Sequence, residues 1–221
     1  MSRIIYFVLL LMISSSAISQ PALNLLFLGD SYTIGESVAE HERWPEQLKV
    51  ALGKEKIKIN ADTIIAKTGW TTDELSEAIS ISNLQQEYDL VTLCIGVNNQ
   101  YRGRSLEDYI DEFEGLLKQA IAFAGGDASR VIVLSIPDYG VTPFAKEKNP
   151  EKISKELMDY NKMNLRITRH YQAGYADITS ISLLAKEDLS LLAEDQLHPS
   201  GEMYRRWVMA IMPLVKIILN L

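Results

Sequence analysis

Short, largely continuous apolar runs alternate with segments of helical periodicity along the chain. The runs are Leu23 to Leu28, Ile57 to Ala66, Leu90 to Ile95, Val131 to Ile136 and a short one at Tyr175 to Ile178. Continuous rather than alternating hydrophobicity predicts parallel strands covered on both faces. Between them, Ser105 heads a helix in which Leu106, Tyr109, Ile110, Phe113, Leu116, Leu117, Ala120 and Ile121 form one apolar stripe, ended by Gly125-Gly126. Thr71 starts a shorter helix with Glu74 as its capping-box partner. Trp44-Pro45 opens another, with proline at the favoured first position. Two longer helices span about Glu151 to Tyr171 and Glu202 to Leu219, and Pro213 is expected to kink or end the second. Strand and helix in alternation predict one three-layer α/β/α domain around a parallel sheet of about five strands. There is no repeat at solenoid or propeller spacing.

Residues 1–19 carry a different pattern. Arg3 supplies a positive charge, Ile4 to Ile13 is uncharged and apolar, and Ser14-Ser15-Ser16-Ala17-Ile18-Ser19 ends in small residues. This is the layout of a cleavable export signal, with cleavage expected after Ser19, leaving residues 20–221 as the folded domain and a periplasmic or secreted location. A stretch of about ten apolar residues is too short for an ordinary membrane-spanning helix, which needs about 20, so stable membrane insertion of the mature chain is not expected. The chain has 22 Lys and Arg against 29 Asp and Glu, a net charge of −7. Loss of Arg3 and of no acidic residue with the signal makes it −8. That balance argues against a nucleic-acid partner, which selects clustered positive charge. Cys94, the one cysteine, sits inside an apolar run and reads as a buried strand residue. An exported domain without an intrachain disulfide rests on its hydrophobic core.

Ligands of parallel α/β sheets gather at the carboxyl ends of the strands. Ser31 follows the first predicted strand within Gly29-Asp30-Ser31-Tyr32-Thr33, Thr68-Gly69-Trp70 follows the second, and Gly96-Val97-Asn98-Asn99 follows the third. Asp195-Gln196-Leu197-His198 precedes the last helix, for which Ser200 is a good N-cap. A hydroxyl, an imidazole and a carboxylate are the nucleophile, base and orienting acid of a Ser-His-Asp hydrolase. The Asp-x-x-His spacing lets two of the three share one loop at small cost in chain entropy. Taken singly, Ser31 reads as a turn hydroxyl, Gly69 as a turn glycine and Asn98 as an Asx-turn residue; their combination carries the chemistry. His41 lies among charges and His170 on a long polar helix, and both read as solvated. No cluster of His, Cys or carboxylates has metal-ligand spacing, so neither metal nor cofactor is implied. Asp30 reads as a brace for the turn. Ser135 to Gly140 and Pro143-Phe144-Ala145 follow the fourth strand and are expected near the pocket, the latter as a lid or acyl-chain wall.

The four blocks Gly29-Asp30-Ser31, Gly69, Gly96-Val97-Asn98 and Asp195-Gln196-Leu197-His198, in that order, resemble the SGNH (GDSL-like) hydrolase family across essentially the whole mature chain. The resemblance implies a flavodoxin-like sheet, with Ser31 as nucleophile, His198 as base and Asp195 as orienting acid. It assigns the oxyanion hole to the backbone amides of Ser31 and Gly69 and the side-chain amide of Asn98. Two positions depart from the family pattern. Asn99 stands where an aspartate usually follows the asparagine, altering a supporting hydrogen bond, and Tyr32 replaces the leucine after the serine, altering the pocket wall. The implied activity is hydrolysis of carboxylic esters through an acyl-enzyme, with short-acyl small-molecule esters or O-acetylated saccharides favoured. A lysophospholipase, thioesterase or acyltransferase would use the same site. From other classes, a glycan-binding module without catalysis would waste all four blocks. An FMN-binding electron carrier with Ser31, Thr33 and Gly35 around a phosphate would leave the Asp195/His198 loop without a purpose.

Overall fold

The computed structural model describes residues 22–84 and 87–220; the export signal expected at residues 1–19 lies outside the described residues. In chain order the elements are β1 (Leu23–Gly29), α1 (Ser31–Ile34), α2 (Trp44–Lys54), β2 (Ile59–Ala66), α3 (Thr72–Ile81), β3 (Leu90–Cys94), α4 (Val97–Tyr101), α5 (Leu106–Phe123), β4 (Val131–Leu134), α6 (Pro150–His170), β5 (Gly174–Ala176), α7 (Thr179–Ser182) and α8 (Gly201–Leu219). The five strands form one parallel sheet in the order β2-β1-β3-β4-β5. Leu25 to Leu28 of β1 and all of β4 are fully buried, as strands with helices on both sides require. On one side α2 packs against α8, and Trp44 meets Phe27 of β1 edge-on at 5.2 Å between centroids. Along the rest of the sheet α5 packs between α3 and α6, burying Tyr109, Phe113, Leu116, Leu117 and Ala120 of its predicted stripe.

β3, β4 and β5 end earlier than their apolar runs, at Cys94, Leu134 and Ala176. Beyond β4, Asn161 of α6 takes over the ladder: its Oδ1 accepts from the Ile136 amide and its Nδ2 donates to the Ile136 carbonyl, at 2.8 and 2.9 Å. A side chain thus satisfies the backbone where the sheet stops. The last helix continues through Pro213 to Leu219, so the proline does not end it. Pro213 lies on the exposed face and Met209, four residues earlier, is 61% exposed, so the carbonyl that loses its donor can turn to water instead of being stranded in the core.

The register decides where the site can be. Gly29 at the end of β1 pairs with Ala66 at the end of β2 and with Cys94 at the end of β3, so three strands finish on one line. The chain first adds β2 on one side of β1 and then β3 on the other, which opens a crevice at the point of reversal. At Gly29 a Cβ would lie 2.1 Å from Thr33 Oγ1 and 2.5 Å from the Cys94 carbonyl, so only glycine lets the chain turn this closely into α1. Cutting into the strand that organises this arrangement should be expensive: Leu26→Ala is expected to lower the unfolding free energy by about 2–5 kcal/mol. The change is measured as a lower urea midpoint at unchanged slope.

Candidate active site

Asp30 is the N-cap of α1, its Oδ1 accepting from the Tyr32 amide at 3.0 Å, and this turn places Ser31 on the first helical residue after β1. The carboxyl of Asp30 is buried, and burial pushes its pKa up to about 7 against the pull of the Tyr32 amide and its own. Its place is beneath the crevice, in the bracing role. Across the crevice, Asp195 folds its own loop: Oδ1 accepts from the amides of Leu197 and His198 at 3.0 and 2.9 Å, with Gln196 at a positive φ of 58°. That turn leaves Oδ2 against His198 Nδ1 at 2.6 Å, while His198 Nε2 faces Ser31 Oγ at 3.0 Å. Tyr32 packs behind the imidazole, 5.3 Å between ring centroids.

Ser37 is a member of this chain of contacts that sequence reading missed. Its hydroxyl donates to Asp195 Oδ2 at 2.6 Å, from a backbone with φ of 65°. No motif marks it, because it meets Asp195 only through the fold. Partial burial works against ionisation of Asp195, but the hydrogen bonds from Ser37, His198 and the loop amides outweigh it and bring the pKa down to about 2.

On the other side lie the residues expected to hold an oxyanion. Gly69 has a φ of 86°, in the region that favours glycine, and its carbonyl accepts from Arg102 Nη2 at 2.6 Å. Asn98, in the first turn of α4, donates from Nδ2 to the Trp70 carbonyl at 2.9 Å, which fixes its amide beside the Gly69 turn. Among the described residues, no acceptor pairs with the backbone amides of Ser31 or Gly69. Ser31, Gly69, Asn98 and His198 all line one cavity of about 180 Å³, together with Tyr32, Thr68, Val97, Tyr101, Tyr139, Phe144 and Leu197. Of the loops expected near the pocket, Tyr139 and Phe144 reach it. Thr33 does not: its hydroxyl is buried without a partner, turned away from the crevice where a phosphate cradle would need it. Cys94 is buried too, which raises its thiol pKa well above the ordinary value. Among the described residues, no group of His, Cys, Asp and Glu is placed to hold a metal ion.

Residues 27–206 match the model of the GDSL-like lipase/acylhydrolase family. The chain belongs to that family. Comparison with curated protein sequences finds no match. Among solved structures, the chain is similar to TesA, with 16% identity, 88% of this chain and 99% of that one covered and a TM-score of 0.70. It is also similar to the psychrotrophic esterase EstA from Pseudoalteromonas sp., at 18% identity, 90% and 99% coverage and a TM-score of 0.67. A third likeness is to the acetylxylan esterase Axe2 from Geobacillus stearothermophilus, at 17% identity, 90% and 94% coverage and a TM-score of 0.65. At these identities the likeness is one of fold.

Asn99, the departure from the GDSL family pattern, is fully buried and ties the start of α3 to α4. Its Oδ1 accepts from the Thr72 amide at 3.1 Å and its Nδ2 donates to Thr72 Oγ1 at 2.6 Å. Glu112 Oε2 accepts from the same Nδ2 at 3.4 Å and also from the Thr72 hydroxyl. An amide suits this position because it offers an acceptor to Thr72 and a donor toward Glu112; an aspartate would face a second carboxylate. Asn99→Asp is therefore expected to destabilise the fold by about 1–3 kcal/mol, and Glu112→Gln in the same chain to recover most of the loss, read by chemical denaturation of both variants.

The depressed pKa of Asp195 gives a second expectation. A carboxyl whose pKa falls on folding stabilises the native state above its unfolded value of 3.8, and this contribution fades as pH drops toward about 2. Asp195→Asn should then be less stable than the native sequence at neutral pH, with the gap narrowing from pH 4 to pH 2 in thermal melts.

Proposed function

We propose that this GDSL-family chain is an exported serine esterase that cleaves short-acyl esters, O-acetylated saccharides among them, through an acyl-enzyme on Ser31. One observation carries the reading: the continuous set of contacts from Ser31 Oγ through His198 to Asp195, at 3.0 and 2.6 Å. In this geometry His198 Nε2 takes the proton of Ser31 Oγ as the oxygen attacks the ester carbonyl, and the ionised Asp195 holds the imidazole tautomer and offsets the charge it gains. The carbonyl oxygen becomes an oxyanion facing the amides of Ser31 and Gly69 and the Asn98 side chain, whose dipoles are already oriented before charge develops. Collapse of the intermediate expels the alcohol, which receives its proton from His198. Water, activated by the same imidazole, then attacks the acyl-serine and releases the acid and free Ser31.

The size of the cavity supports the short-acyl preference. Pockets that enclose a drug-sized ligand measure about 300–1,000 Å³, and 180 Å³ suits a small acyl group. Export is supported by the pattern of residues 1–19.

The test is hydrolysis of p-nitrophenyl esters from acetyl to palmitoyl, with Ser31→Ala alongside. Activity should peak at acetyl or butyryl, and Ser31→Ala should fall to the residual level of oxyanion hole and binding, about 10³–10⁴ over water. A peak at long chains would overturn the short-acyl assignment, and turnover undiminished in Ser31→Ala would overturn the mechanism. Asn98→Ala is expected to lower kcat by about 10²–10³ while its melting curve stays close to that of the native sequence.

A further inference from the structure

A groove of about 610 Å³ adjoins the catalytic cavity, and the two share Tyr101 and Tyr139 as walls. Its volume lies in the range of sites that enclose a small molecule, whereas that of the catalytic cavity does not. A substrate larger than a small acyl group therefore has a ready-made second compartment beside the cavity that Ser31 lines. The wall between the two is held in place: Tyr139 donates from its hydroxyl to Gln100 Oε1 at 2.8 Å, and Gln100 donates from Nε2 to Glu156 at 2.8 Å.

The charges around this groove are almost all matched. Arg104 pairs with Asp73 at 2.7 Å. Glu156 has Lys152 at 3.6 Å, and Asp159 has Lys162 at 3.1 Å and Lys155 at 3.6 Å. Lys148 is the exception: among the described residues no carboxylate lies within ion-pair distance of its ammonium. Its Nζ instead sits over the rings of Phe144 and Tyr101, at 5.0 and 5.6 Å from their centroids. Phe144 and Tyr101 are walls of the catalytic cavity, and Lys148 and Tyr101 are walls of the groove. Cation–π attraction thus holds an unmatched positive charge at the junction of the two compartments.

Building on the esterase reading, we infer that the groove receives the alcohol half of the ester and that Lys148 recognises an anionic substituent on it, a carboxylate or a phosphate. The tyrosine faces at the junction contribute apolar contact for the alcohol's carbon frame. Recognition acts at short range, since the net charge of the chain is negative and repels anions at a distance.

The experiment compares two matched pairs of acetyl esters: O-acetylated methyl glucoside with O-acetylated methyl glucuronate, and acetylglycerol with acetylglycerol phosphate. The native protein should favour the anionic member of at least one pair by about threefold to tenfold in kcat/KM, mainly through KM, and added salt should erode the preference. The pair that shows it tells carboxylate from phosphate. In Lys148→Gln the ratio should fall to near one, and in Lys148→Glu it should invert. Equal handling of both members by the native protein, or a preference that survives Lys148→Gln, would overturn the inference. Serine-dependent turnover of p-nitrophenyl acetate with none of the four esters accepted would overturn it alone, leaving the esterase reading standing; loss of that turnover as well would bring down both.

Discussion

The shared ending of β1, β2 and β3 is the constraint on which the site depends. Gly29 lies opposite Ala66 and Cys94, so the loops that leave these strands start from one line. A shift of one residue in either pairing would send the side chains of that strand to the opposite face and move its loop along the crevice by roughly 3.3 Å, more than a hydrogen bond tolerates. The absence of a side chain at Gly29 then allows the Thr33 hydroxyl and the Cys94 carbonyl to close on the turn. Ser31 is presented at the mouth of the crevice because the backbone beneath it has no other way to go.

The two carboxyls nearest Ser31 and His198 show how packing divides one residue type into two roles. Asp30 is buried and has its pKa pushed up to about 7, so near neutrality it is an uncharged or half-charged cap. Asp195 is partly open to solvent and collects bonds from Ser37, His198 and two loop amides, which keep it ionised down to about 2. Burial dominates in the first case and hydrogen bonding in the second. An anion is stable beside the imidazole because four donors serve it, whereas beneath the serine, where only backbone amides are within reach, burial disfavours it.

The Gly69 and Asn98 side of the crevice is held by a separate lattice of polar contacts. Arg102 grips the Gly69 carbonyl and pairs with Glu74, while Asn99, Thr72 and Glu112 link the start of α3 to α4 and α5. Asn98 is carried on the same short helix as Asn99 and Tyr101, so the residue proposed to face an oxyanion, the buried tie and the groove wall share one rigid element. In a site of this size, such coupling limits the adjustments open to any one residue.

Local chemistry was enough to read much of this protein from its sequence. Continuous apolar runs marked five parallel strands, the capping residues Ser105, Thr71 with Glu74, and Ser200 marked helix starts, and four short blocks marked the family and the candidate residues Ser31, Gly69, Asn98, Asp195 and His198. Each of these signals depends on a residue and its near neighbours along the chain, which is why it survives without a structure. What stayed hidden involved partners far apart in sequence. Ser37 reaches Asp195 across 158 positions, Asn161 caps the chain beyond β4 from a helix 25 residues on, and Lys148 finds its place over Tyr101 only when its loop meets α4. Whether Pro213 ends its helix was hidden for the same reason, because that depends on what surrounds the carbonyl it strands, and here that surrounding is solvent. The residue types that could do the chemistry were thus determined by the sequence; which of them meet, in what state of charge, and beside which second compartment was decided by the tertiary structure, because distance and burial are properties of the packed chain alone.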